Sequence, residues 1–222
     1  MDLFPIGTVG SASTGTVDSV TYSFFEPNMG CVSNPVYTTL ATRFKNQTML
    51  SRKQAEPYLT INYTYQGIFT REYRQIEHFV DSKEDALTSF YTIDLSRPQT
   101  PSAFAEDGGD WKCSITNTRY YSTIDNQKAY WIFVWDGSNF KLGNVTALVT
   151  NTSVTLDLDY GDLSFVNAQS NGRIYPVYQV YFADNTLSNF KTEDYIDENI
   201  NLTEDGGFTF SGSVSFISKY KV

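Results

Sequence analysis

The sequence predicts a mainly β protein with one flanking α-helix, and three observations lead to this fold class. First, the 222 residues include 16 Tyr, 16 Phe and 3 Trp, and aromatic side chains suit pleated, half-buried surfaces. Second, apolar and polar residues alternate with a period of two in several segments, as in strands that bury one face. Third, only one segment repeats its apolar residues at helical spacing. Many short strands separated by turn residues are typical of a β-sandwich or barrel.

The clearest strand is predicted over residues 58–65. Apolar or aromatic residues there alternate with Thr60, Asn62 and Thr64, so one face is expected to be buried. The N-terminal residues 7–19 are rich in Gly, Ser and Thr, which predicts a flexible arm or an extended edge. Further strands are predicted at residues 20–25, 36–44, 89–94, 112–123, 129–135, 145–149, 154–158, 174–182 and 208–220.

The helix is predicted over about residues 70–86. Its apolar residues, among them Tyr73, Ile76 and Phe79, recur at helical spacing. Thr70 is expected to cap the N-terminus, and Glu72 in the first turn suits the helix dipole. An apolar stripe on one side indicates that the helix lies on a sheet.

The charge balance excludes a protein that grips nucleic acid. The chain carries 25 acidic and 16 basic residues, a net charge of −9, whereas proteins that bind phosphates present a basic face. Residues 1–5 have no signal-peptide pattern. The sequence has no apolar run near the ~20 residues that cross a bilayer. We therefore expect a soluble protein with no membrane insertion.

Cysteine and metal-ligand spacing predict no metal site. Cys31 and Cys113 are too far apart for a metal knuckle, and two free buried thiols are favoured over a long-range disulfide. His78, the one histidine, is expected on the surface of the helix, because a metal or catalytic site needs further partners.

Two acidic clusters remain open as cation sites. Asp157, Asp159 and Asp162 lie at a strand end, where oxygen-rich turns can hold calcium. A solvated turn is the favoured interpretation for them, and also for the acidic residues of 106–110. Such carboxylates could also serve a glycosidase, but the sequence does not select a pair.

No catalytic residue, cofactor or metal is predicted. The sequence contains no GxGxxG, no GxxxxGK[ST] and no GxSxG. Trp111, Trp131 and Trp135 are interpreted as core or interface anchors, with a sugar-binding groove as the alternative. We therefore expect a protein that is not an enzyme.

Residues 35–95 carry a resemblance to a known family. The pattern runs from Pro35 through Thr42-Arg43-Phe44-Lys45-Asn46-Gln47 and Ser51-Arg52-Lys53-Gln54 to Glu56-Pro57 and the alternating strand. It then passes through Ile76-Glu77-His78-Phe79-Val80 and Ser89-Phe90-Tyr91 to Asp94. This pattern resembles the distal and minor tail proteins of long-tailed bacteriophages. Gln47 stands where that family usually has Gly.

The resemblance implies a tail-tube-type β-sandwich with one flanking helix. Its core would comprise residues 1–100 with 206–222, and residues 101–205 would form a β-rich insert or second subdomain. The expected function is a structural subunit of the virion tail, made in the host cytoplasm. It would form a homo-oligomeric ring, typically a hexamer, that joins the tube to the tip complex while DNA passes through. The expected partners are further copies and the tube, hub and tip proteins.

Three other functions stay open at this point. One is a neck or tail-completion protein of the same assembly. Another is a carbohydrate-binding β-sandwich that recognises host-surface glycans, and the last is a hydrolase. A glycan module should stay monomeric, whereas a ring subunit should self-associate.

Overall fold

The mainly β class with one helix is confirmed. The computed structural model describes residues 3–4, 14–17, 20–23, 30–36, 39–43, 49–53, 57–83, 88–125, 127–136, 140–159, 168, 171–183, 186–193 and 208–220. These residues form sixteen β-strands, one α-helix and one short 3-10 helix. The more specific tail-tube type stays a prediction.

The elements of the first half include the helix and the longest strand. They are β1 Leu3–Phe4, β2 Thr14–Val17, β3 Val20–Ser23, β4 Cys31–Val36, β5 Thr39–Arg43, β6 Met49–Lys53, β7 Tyr58–Phe69, α1 Thr70–Asp81 and β8 Phe90–Ile93. The β5 and β6 strands are antiparallel and form a separate two-stranded sheet.

The second half is made of strands and the 3-10 helix. They are β9 Ala103–Asp107, β10 Asp110–Ser114, β11 Trp131–Trp135, β12 Phe140–Val149, β13 Ser153–Asp159, β14 Arg173–Phe182, the 3-10 helix Thr186–Asn189, β15 Lys191–Glu193 and β16 Thr209–Ser218. The main sheet runs in the order β4-β7-β16-β14-β11-β12-β13-β10-β9.

Strand β14 is the junction of this sheet. Its first residues pair with β11 and its last three with β16, and the middle of the strand pairs with β8. Pro176 and Gln179 accept backbone hydrogen bonds from Asp94 and Lys219, respectively. In a strand, the backbone N–H and C=O groups of successive residues point to opposite edges. Strand β8 therefore lies on one edge of β14, and β11 and β16 share the other. The division into residues 1–100 with 206–222 and residues 101–205 stays a prediction.

The two faces of the sheet bury two separate apolar clusters. The larger one, on the face that we call inner, collects side chains from β7, β16, β14, β11, β12, β13 and β10 and from α1. The smaller one lies on the outer face. It consists of Leu3, Ile93, Phe133, Phe140, Tyr175 and Val177. Strand β1 contributes to both clusters, because Leu3 joins the outer one and Phe4 the inner one.

The helix begins and ends differently from the prediction. The N-cap is Phe69 instead of Thr70, and Glu72 accepts a hydrogen bond from the backbone N–H of Phe69. The Thr70 hydroxyl instead donates to the carbonyl of Phe208. The helix stops at Asp81, and the hydroxyl of Ser82 donates to a carbonyl of the last turn. Residues 82–83 form a turn, and residues 84–86 of the predicted helix lie outside the described part of the chain.

Several strand bounds differ as well. The predicted strand 112–123 is wrong beyond Ser114, because residues 115–123 form turns and a single bridge between Tyr121 and Ala129. The residues of the predicted strand 36–44 belong to two strands, since Val36 ends β4 and Thr39 begins β5. Strands β1, β4, β6, β9 and β15 were not predicted, because they are short or lack clear alternation.

Two further parts of the chain are an N-terminal strand pair and a tight turn in the second half. Residues 14–17 form β2, which pairs with β3 and touches β12 at Phe140, so an extended edge is the correct interpretation there. Residues 7–13 lie outside the described residues. The Asp107-Gly108-Gly109 segment is the tight turn of the β9–β10 hairpin, with φ of 70° and 104° at its two glycines. Positive φ is the backbone region that glycine tolerates best.

Candidate functional site

Among the residues that the structure describes, those singled out from the sequence as possible ligands do not come together. Across the described residues, no group of three or more His, Cys, Asp or Glu side chains is placed to hold a metal ion. His78 is exposed and lines a shallow groove on α1 with Arg74 and Phe79. Asp157 is exposed on β13. Asp162 and the side chain of Asp159 lie outside the described part, so that cluster stays open.

Both cysteines are free thiols, as favoured from the sequence. Cys113 is fully buried, and burial raises the pKa of its thiol to about 12. Burial, and then the nearby carboxylate of Asp94, raise the pKa of the half-buried Cys31 thiol to about 12. Since the thiolate is the nucleophile, neither sulfur is activated at neutral pH.

Raising the pH above about 9 is expected to lower the free energy of unfolding. The thiol pKa values rise from 9.0 to about 12 on folding, and burial raises the pKa of the Tyr63 and Tyr65 phenols well above 10.0. The unfolded chain therefore loses protons first and binds fewer protons than the folded chain, so stability falls as pH rises. The contribution of the two thiols to the free energy of unfolding is complete below pH 9 and is lost progressively as the pH approaches 12.

Urea midpoints measured from pH 7 to pH 11 check this alkaline effect. Cys113→Val removes one titrating group, so its midpoint should fall less steeply between pH 9 and pH 11. A wild-type midpoint that stays constant up to pH 11 would contradict the expectation.

A buried ionic cluster lies where β8 ends. Asp94 is fully buried, and its Oδ1 accepts hydrogen bonds from the backbone N–H of Ser96 at 3.2 Å and the Ser96 hydroxyl at 2.6 Å. Its Oδ2 lies 3.4 Å from Nε of Arg97. Arg97 also lies close enough to Tyr178 of β14 to act on the pKa of its phenol. The cluster therefore fixes the chain that leaves β8 against β14.

The same arginine holds the segment that follows β10. The guanidinium of Arg97 lies 4.7 Å from the ring centroid of Tyr120, and that of Arg119 lies 4.6 Å from it. Gln99 Nε2 donates to the hydroxyl of Tyr121 at 3.1 Å. In these contacts Arg97 meets both the Asp94 carboxylate and an aromatic ring. Such a combination is typical of a structural network. Sequence reasoning missed this network; the only signal was an Asp closing a buried strand.

The three tryptophans differ in burial. Trp111 is fully buried on β10 and makes an edge contact with Phe104, with ring centroids 5.4 Å apart. It is therefore a core residue, as predicted. Trp131 and Trp135 are half-buried and share the outer face of β11, where both pack against the smaller cluster. Only these two could contact a ligand.

The outer surface of β4, β7 and β16 is the most distinctive surface of the described chain. Residues opposite each other in paired strands share a face, so the pairings Val32–Asn62–Ser215 and Asn34–Thr60–Ile217 define rows across it. We call this surface the uncharged face. Its ten half-buried or exposed residues are Val32, Asn34, Val36, Tyr58, Thr60, Asn62, Thr64, Ser213, Ser215 and Ile217.

The uncharged face continues into the aromatic part of the outer face. Tyr181 of β14 pairs with Ile217 of β16, and further along the same side of β14 lie Val177 and Tyr175 of the smaller cluster. The ten residues of the uncharged face include no Asp, Glu, Lys, Arg or His, on a chain with a net charge of −9, so this face is suited to contact with another surface.

No protein-family model matches the chain, and no curated protein matches its sequence. In the part of the chain that the structure describes, no helix is long and apolar enough to cross a membrane; α1 has 12 residues.

Proposed function

We propose that this chain is a structural subunit of a bacteriophage tail, which forms a ring around the DNA channel and joins the tube to the tip complex. The observation that carries the proposal is the order of elements over residues 35–95. The resemblance implies a strand that ends in a short turn, an Arg-containing stretch, a Pro-initiated strand, a helix, and a strand that bears Phe and closes on Asp. The chain has β5, β6, β7, α1 and β8 in that order.

The residues of the pattern also occupy fitting places. Pro57 immediately precedes β7, the longest strand, with 12 residues. Phe79 at the end of α1 is buried, and its ring packs against Phe90 of β8 with centroids 5.1 Å apart. Asp94 follows β8 and anchors the chain there. These contacts are what a helix flanking a tail-tube-type sheet requires, and they support the proposal.

The charge distribution suits a channel through which DNA slides. DNA binding depends on Lys and Arg that neutralise phosphates, and this chain has an excess of acidic residues. An acidic or uncharged lumen would hold DNA without gripping it. The partners in this proposal are further copies of the chain and the tube, hub and tip proteins of the virion.

A carbohydrate-binding module is the second candidate, because one observation favours it. Trp131 and Trp135 lie four residues apart on one face of β11, and both are half-buried. Aromatic faces of this kind can stack on sugars, whereas the buried Trp111 cannot. Quenching of tryptophan fluorescence by polysaccharide, lost in Trp131→Ala and retained in Trp111→Phe, would favour this candidate.

The native mass of the purified protein separates the two candidates. We expect light scattering over a range of concentrations to show association, and negative-stain images to show rings with a central opening. A strict monomer that binds polysaccharide would overturn the tail proposal in favour of the glycan module. Rings without affinity for polysaccharide would support the tail subunit.

A further inference from the structure

We propose that the uncharged face is a contact surface between two copies of this chain, which meet face to face about a two-fold axis. The inference is separate from ring closure, because a ring needs a head-to-tail contact between different surfaces. It concerns the outer side of β4, β7 and β16, and it names a second copy as the occupant.

Charge is the first argument for a second copy. Two chains that each carry a net charge of −9 repel each other over most of their surfaces. The uncharged face has no Asp, Glu, Lys or Arg among its ten residues. Two copies therefore avoid direct repulsion at the contact when both present this face, and that arrangement is two-fold symmetric. DNA would gain no phosphate contact from the same surface.

Exposed apolar side chains are the second argument. Val32 is 56% exposed and Val36 is 46% exposed. Both stand on the same side of β4, at the rim of the uncharged face. Covering such side chains on association is favourable, at about 25 cal/mol for each Å² of apolar surface. Apolar side chains next to a polar, uncharged surface are common at protein–protein contacts.

The free edge of β4 is poorly suited to pair with a strand of a second copy. Thr64 N–H donates to the carbonyl of Gly30 at 3.1 Å, so even-numbered residues of β4 face β7 and Pro35 faces the opposite edge. Proline has no N–H to offer there, and a proline at an edge discourages the addition of another strand. A second copy would therefore dock on the face of the sheet.

The size of the surface predicts a weak contact. Three strands ~4.8 Å apart, each contributing about seven residues at ~3.3 Å, cover roughly 300–400 Å². Stable complexes bury about 800 Å² on each partner. The association should therefore depend on concentration, and it must be measured up to high protein concentration.

A charge-swap experiment on the full chain tests the inference. Val32→Lys with Thr64→Lys, and Val32→Glu with Thr64→Glu, place like charges against each other in a two-fold contact, and both positions are exposed. We expect sedimentation or light scattering to show association at least tenfold weaker for each variant than for wild type. An equimolar mixture of the Lys and Glu variants should associate again. The matched control is Thr146→Lys with Val149→Lys on β12, also exposed, which should behave as wild type.

The outcomes are distinct from those of the ring experiment. Wild-type association that is weakened in both variants and restored in their mixture supports the face-to-face contact. Variants that associate as wild type overturn it, and so does a wild type that shows no pair at any concentration. Rings that persist in the variants leave the tail proposal intact, so the two proposals can fail separately. Circular dichroism of each variant confirms that the fold is unchanged.

Discussion

Replacing Phe4 with alanine is expected to lower the free energy of unfolding by about 3–5 kcal/mol, the usual cost of removing a buried phenylalanine ring. Phe4 is buried on the inner face of the sheet. Its ring centroid lies 5.2 Å from those of Phe79 and Phe216, 5.9 Å from that of Tyr63 and 6.4 Å from that of Phe182. Because these ring contacts come from β7, β14, β16 and α1, no single side chain can fill the cavity that the substitution leaves.

Thermal and urea unfolding measure the effect of Phe4→Ala. For a domain of this size, each kcal/mol shifts the melting temperature by ~2–4 °C, so a fall of roughly 10 °C is expected. Phe208→Ala is the matched control, because Phe208 is 47% exposed and surface changes usually stay within about 0.5 kcal/mol. Equal destabilisation by the two substitutions would show that Phe4 is not packed as described.

Replacing Asp94 with alanine is expected to lower the free energy of unfolding by about 3 kcal/mol. The carboxylate is fully buried, while the Arg97 side chain is 19% exposed, and removal of one partner leaves the other charge without compensation. The hydroxyl and backbone N–H of Ser96 lose their acceptor as well. Asp94→Asn keeps an acceptor oxygen and removes only the charge, so a smaller loss is expected.

The chain offers a matched exposed pair as the control for Asp94. Asp107 lies 3.2 Å from Lys112, and their side chains are 50% and 39% exposed. Exposed pairs contribute ~0–1 kcal/mol, so Asp107→Ala should change the urea midpoint little. If Asp94→Ala were equally mild, the ionic cluster would not hold the end of β8.

The sequence predicted the parts of the fold that depend on local pattern. The alternation of residues 58–65 marks the buried face of β7, and the spacing of Ile76 and Phe79 marks α1. The helix start was missed because Phe69 has no capping side chain; its N–H is satisfied by Glu72, which the sequence suggested only as a partner of the dipole.

The uncharged face could not have been predicted from local pattern. It depends on pairing between β4, β7 and β16, which brings Val32, Asn62 and Ser215 into one row although they are far apart in sequence. The ionic cluster is similar, since Arg97 meets Tyr178 only because β14 lies beside β8. Such contacts come from strand order, and strand order cannot be derived from composition or periodicity.

The pairing of β7 with β16 also has a consequence for how the chain folds during synthesis. The backbone N–H of Leu59 donates to the hydroxyl of Ser218, 159 positions further on. The sheet cannot close around β7 until residue 218 has left the ribosome, and such distant pairings make folding slow. Until then β7 and β14 each lack a neighbour, and both strands are prone to aggregation. A chain that ends before β16 would leave the edges of β7 and β14 open to pairing with other chains.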